Sequence, residues 1–265
     1  MEAARRQAEE PGVPAADRAL GRTGPAAAAR AAGPRRVART ARGESPAEIG
    51  GSAGEFAPLR LEVVRGGPAD HSGEHALFKE LLDRYHYLGY RVPFGASLRY
   101  LVRSARAPGQ VLACLLWSSP AWKMAARDAW IGWSDDERAR NLQLIVNNRR
   151  FLILPWVRVK GLASKILAEC AGRLPGDWEK WYGYRPLLLE TLVDAERFRG
   201  TCYRAANWIR LGQTAGRGRM DRDHAAQGAA VKDLYGYPLG RQVQQRLRSA
   251  AAPVWQEPED EASRP

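Results

Sequence analysis

With 265 residues and a formal net charge of +12, the chain has length for one large domain or two small ones, and a charge that favours an anionic partner. No stretch of about twenty apolar residues occurs, nor a basic leader followed by an apolar core, which excludes a membrane-spanning helix and a cleaved secretion signal and predicts a soluble, cytoplasmic protein. Three cysteines, Cys114, Cys170 and Cys202, stand outside any metal-ligand spacing, so reduced core thiols are expected, with no disulfide framework and no metal site.

Residues 1–57 hold almost no Leu, Ile, Val or aromatic side chain; a segment of Ala, Arg, Gly, Pro and Glu buries too little to offset chain entropy and reads as a disordered head. Its first 55 residues carry nine arginines against seven acids, so +10 of the net charge belongs to the rest of the chain. Leu59, Leu61, Val63 and Val64 are spaced as a short strand ended by Gly66, Gly67 and Pro68. A helix is predicted over 74–87, with Ser72 as its N-cap and Gly89 as its stop. Residues 97–104 and 111–119 read as a hairpin turning at Pro108 and Gly109. A helix over 135–146, a buried strand over 151–159, a helix over 162–174, a strand over 186–193 and a helix over 201–211 come next, then a Gly- and Arg-rich segment and a last strand over 232–238. This order predicts an α/β fold for residues 58–248, a mixed central sheet with helices on both faces, followed by an acidic disordered tail over 249–265. The central strand, helix, strand unit should be a right-handed parallel crossover.

That crossover places Arg158, Val159, Lys160, Gly161, Leu162 and Ala163 where a strand ends and a helix begins. Free backbone N–H groups and the positive end of the helix dipole make such a corner a ready site for phosphate oxygens. A basic residue, then Gly161 for close backbone approach and small Ala163 for tight packing, suits a pyrophosphate. The segment resembles the Arg/Gln-x-x-Gly-x-Gly/Ala loop of the GNAT superfamily of N-acetyltransferases, and the element order over about 58–240 is similar to that superfamily's layout. The resemblance implies acetyl-coenzyme A as cofactor, held by Arg158, Lys160, Gly161, Leu162 and Ala163. Trp208 to Gly212 is similar to the superfamily's Tyr-x-x-x-Gly segment, but Trp208 stands where the resemblance implies a tyrosine that protonates the departing thiolate, and it has no phenolic proton. Tyr203, five residues earlier, is the candidate substitute, although on one continuous helix it would face some 140° away at roughly 100° per residue. Glu190 is a candidate base for an amine, although a carboxylate near a strand end is more often a solvated or paired group.

Longer runs carry a second resemblance. Tyr85–Gly89, Arg127–Trp133, Asn148–Val157, Glu190–Asp194, Gly200–Trp208, Gly216–Arg219 and Lys232–Pro238 together resemble the DruA family. That family implies a bacterial protein of Druantia anti-phage systems or of mobile elements, with nucleic acid and other proteins of such systems as partners and no membrane. In this setting Arg217, Arg219 and Arg222 are candidate phosphate contacts, and Trp130, Trp133, Trp156, Tyr203 and Trp208 are either stacking platforms for bases or core fillers. Asp128, Glu190 and Asp194 show no metal-ligand spacing. His86 reads as a structural hydrogen-bonder. An active N-acyltransferase and a non-catalytic interaction scaffold remain the alternatives.

Overall fold

The computed structural model describes residues 37–66, 72–216 and 230–251. Residues 1–36 of the head predicted over 1–57, most of the tail, and Arg217, Arg219 and Arg222 lie outside the described residues.

In chain order the elements are β1 (Ile49–Ser52), β2 (Leu59–Val63), α1 (Glu74–Tyr85), β3 (Ser97–Ser104), β4 (Ala113–Ser118), α2 (Ala125–Ile131), α3 (Asp135–Asn141), β5 (Ile145–Ile153), β6 (Val157–Lys160), α4 (Leu162–Tyr182), β7 (Leu188–Asp194), α5 (Thr201–Ala205), β8 (Ile209–Gln213), β9 (Lys232–Pro238) and α6 (Val243–Ser249). Seven strands form one mixed sheet in the order β2-β3-β4-β5-β7-β9-β8, and β1 pairs with β6 in a separate parallel ladder. Only β5 and β7 run parallel within the large sheet, and α4 lies in the crossover between them. Tyr100 of β3 points to one face, where its hydroxyl donates to Asp177 of α4 at 2.8 Å. Arg103 points to the other, where it donates to Glu74 of α1 at 2.7 Å. Helices therefore cover both faces, as the apolar pattern of the strands requires.

The helix α4 runs through Pro175, where the sequence pattern ends it. An interior proline costs about 3 kcal/mol or more. Beyond it, however, Trp178, Trp181 and Tyr182 are all buried. The Tyr182 hydroxyl also accepts from Ser97 N at 2.7 Å and donates to Ser97 O at 2.8 Å, so burial of three large rings and two long-range bonds outweighs the local break. Upstream, the helix predicted over 135–146 ends at Asn141, because residues 145–153 are the strand β5; the strand predicted over 151–159 divides at Pro155 into the end of β5 and β6. The helix predicted over 201–211 is only α5, after which Asn207 takes φ 63° and the chain turns back as β8.

Residues 37–57 correct the predicted domain start, since they are built into the fold despite their composition. Glu80 of α1 accepts from Thr40 N and Oγ1, each at 2.7 Å, and from Arg84 at 3.0 Å. Burial pushes the Glu80 carboxyl up, but the Thr40 and Arg84 donors together hold it below its ordinary value. Tyr85 donates to Gly43 O, Arg42 pairs with Glu74, and Phe56 sits in the core with its carbonyl accepting from Ser104.

Candidate functional site

The strand-to-helix corner read from the sequence is present. β6 ends at Lys160, Gly161 caps α4 with φ 77°, and the first turn closes through Lys165 N donating to Gly161 O at 3.2 Å. The first N–H groups of a helix have no partner within it, so those after Gly161 are available to an anion. Arg158 and Lys160 are exposed, Arg158 lying 3.6 Å from Glu48. The Leu162 side chain is in the core, so only its backbone can serve the corner. β1 flanks the site: Ala53 N donates to Lys160 O at 2.9 Å, and a Cβ on Gly161 would meet Ala53 Cβ at 3.8 Å. The glycine is thus required by its left-handed backbone rather than by lack of space.

A second feature lies at the centre of the sheet. β5 and β7 pair only from Ile145–Asn148 to Leu188–Thr191. A bulge in the β4 pairing then bends β5 away, while β7 continues along β9 to Asp194. On the α4 face this fork is closed. Tyr203 OH donates to Asn148 Oδ1 at 3.0 Å, Thr191 Oγ1 donates to Asn148 O at 3.1 Å, and the Tyr203 ring packs on Trp208, Tyr235 and Phe151. Burial raises the Tyr203 hydroxyl pKa well above the tyrosine range. Because the chain reverses at Asn207, Tyr203 and Trp208 touch with ring centroids 5.2 Å apart, instead of facing apart on one helix.

Glu190 is on the opposite face. Its neighbour Thr191 faces Tyr203, so the two catalytic candidates, Glu190 and Tyr203, are on different sides of β7 and are not brought together. Glu190 is fully buried, and Arg127 Nη1 stands 3.4 Å from both its carboxylate oxygens. Burial raises its pKa, Arg127 pulls it back and Asp128 adds to the rise. Arg127 also donates to Asp128 and to the carbonyls of Ala121 and Trp122, so the cluster fastens α2 and the loop before it to β7. That is a structural pairing, and a base for an incoming amine would need a free, reachable carboxylate. Among the described residues no group of three or more His, Cys, Asp or Glu is placed to hold a metal.

Of the aromatic residues that the sequence offers as base platforms, Trp133, Trp156, Tyr203 and Trp208 are buried and act as core; Trp130 is half-buried. Among the described residues the exposed rings are others: Tyr87, Phe94, Trp122 and Phe198. Tyr87 sits over the open face of the fork, acted on by the charges of Asp194 on β7 and Arg150 on β5. Its run, Tyr85–Gly89, is legible as a family segment, but its exposure is not. A cavity of about 230 Å³ beside β2, lined by Glu62, Arg65, Ser72, Glu74 and Leu101 among others, lies toward the other edge of the sheet. Among the described residues no helix is long and apolar enough to cross a membrane.

The family model described as Druantia protein DruA matches residues 33–243, a span that takes in the residues from Val37 onward that composition alone leaves out. No curated protein matches the chain. Among solved structures, the spermidine/spermine N-acetyltransferase SpeG from Vibrio cholerae is 9% identical, with 72% of this chain and 98% of that chain covered and a TM-score of 0.44. The ribosomal-protein-S5-alanine acetyltransferase from Vibrio fischeri is 5% identical over 55% of this chain and 63% of that chain, with a TM-score of 0.36.

Proposed function

This chain belongs to the DruA family, and from that premise we propose that it is an accessory protein of bacterial anti-phage defence or of a mobile element, acting on or beside nucleic acid. The observation that carries the nucleic-acid part is the charge. Everything after residue 55 has a net +10, an excess that belongs to the part of the chain holding the fold. Electrophoretic shifts with single-stranded, double-stranded and forked DNA and with RNA should show binding that weakens linearly in log affinity against log salt, since each neutralised phosphate releases counterions. No shift with any of the four at low salt would end this reading.

A second reading, an N-acyltransferase, is favoured by one observation, the positive φ of Gly161 at the corner between β6 and α4. The residues there fit a pyrophosphate: Arg158 and Lys160 would meet it with charge, and Gly161, Leu162 and Ala163 with backbone. Acetyl-coenzyme A, when bound, would supply the acyl group as a thioester. Neither candidate donor for the departing thiolate is free to serve, because Trp208 has no phenolic proton and the Tyr203 hydroxyl is committed to Asn148. Coenzyme A is expected to raise the melting temperature by mass action, and Gly161→Val to remove that rise by straining the left-handed turn. No rise at millimolar coenzyme A would dispose of this reading.

A further inference from the structure

The open face of the β5–β7 fork gathers a set of side chains that the nucleic-acid reading does not yet use. Tyr87 follows α1 and Phe198 follows β7, more than a hundred positions apart, yet their ring centroids lie 5.5 Å apart. Both rings stay open to solvent, Tyr87 at 42% and Phe198 at 49%. Rings that meet across two loops bury part of each other, and here about half of each remains open, so that a ring face is available for stacking. The pair is held in place. His86 stacks on Tyr87 at 4.9 Å and accepts from Leu88 N, and burial together with the charge of Arg150 pushes its imidazole down to about 4, so it is a neutral support at physiological pH. Arg197 lies over Tyr87 at 5.1 Å.

Around these rings the charge is mainly positive. Arg150, only 8% exposed, donates to the carbonyls of Gly89 and Arg149. Burial and the nearby charges of Arg149 and Arg91 bring its guanidinium down to about 10. Arg99 of β3 lies in the same cross-strand row, through Leu116, and is buried with Nε and Nη1 unpartnered among the described residues. The acids nearby include Asp194, which is 3.4 Å from Arg197, exposed Glu196, and Asp83, which lies beside Gly89 and is paired with Arg39 at 3.2 Å. Like charges brought together in low dielectric repel, and an anion is what relieves them.

We propose that Tyr87 and Phe198 form a stacking platform for unpaired bases, with the exposed Arg91 and Arg197 taking the adjacent phosphates and the charges of Arg149 and Arg150 behind them adding to the attraction, so that this face of the fork binds single-stranded nucleic acid. The inference rests on the nucleic-acid reading and gives it a place and a strand preference. Rings reach base faces only when the bases are unpaired, and base–aromatic stacking tolerates any sequence, so the platform should prefer single strands and show little sequence preference.

The test is fluorescence anisotropy of the full chain with a labelled oligothymidine and with a duplex of the same length. The wild type should bind the single strand more tightly than the duplex. Y87A/F198A should bind the single strand at least about tenfold more weakly with the salt slope unchanged, the loss expected from stacking. R91A/R197A should weaken both ligands and lower the slope by roughly one for each phosphate no longer neutralised. Y87W, which keeps a ring, should retain affinity and show tryptophan quenching on binding, which guards against misfolding of the alanine variant. If the wild type binds and Y87A/F198A binds equally well, or if the duplex is preferred, the platform is wrong while the nucleic-acid reading stands. If the wild type binds nothing at low salt, that reading itself has failed.

Discussion

Replacing Arg127 with methionine should cost about 3–5 kcal/mol of folding stability, the range for removing one partner of a buried ion pair. Arg127 and Glu190 are both fully buried, and the guanidinium serves Glu190, Asp128 and two backbone carbonyls at once. Without it the Glu190 carboxylate sits in the core with no counter-charge. The deficit carries a pH signature. Glu190 already has a folded pKa above its unfolded value, so its contribution to stability is fully present below the unfolded pKa and is lost as pH rises through the folded one. Removing Arg127 widens that gap. Urea denaturation should therefore show a deficit that is small in acid, grows through neutral pH and then levels off. R127M/E190L should recover a large part of the stability, because it removes the stranded charge. A deficit that does not change with pH would mean that Glu190 is not the group left to bear the desolvation.

The second large effect is expected at Tyr203. Truncation to alanine removes a buried ring in contact with Trp208, Tyr235 and Phe151, and large-to-small changes of this kind cost about 3–5 kcal/mol. Tyr203→Phe keeps the ring and removes the bond to Asn148, together with the longer contact from Thr191 at 3.4 Å, leaving the Asn148 acceptor buried, for about 1–3 kcal/mol. The pair of variants separates architecture from chemistry. If Tyr203 were a general acid, Phe would abolish turnover as completely as Ala. As a strut of the fork, Tyr203→Phe should leave ligand binding nearly intact while Tyr203→Ala loosens both stability and binding. Chemical denaturation of the two variants beside the wild type, with the nucleic-acid and coenzyme A assays, decides between them.

Several parts of this protein are determined by its sequence alone. The hairpin at 97–118, the corner at Gly161 and the final strand over 232–238 are legible because their signals are local: alternation of apolar residues, a glycine that only a left-handed turn needs, a helix that begins beside it. The family runs are legible for the same reason, as contiguous residues. What only the tertiary structure decides depends on partners far away in the chain. Residues 37–57 lack the composition to fold alone, and they are ordered because Glu80, Tyr85 and β6 supply the donors, acceptors and strand edge they need. α4 outlasts Pro175 because Ser97 and a deep core reward its last two turns. Glu190 and Tyr203, plausible partners as residue types, are kept apart by the pleat of one strand, since successive side chains point to opposite faces. Tyr87 and Phe198, which no spacing connects, meet because β5 and β7 part after four paired residues and leave the loops after α1 and β7 facing each other across the gap.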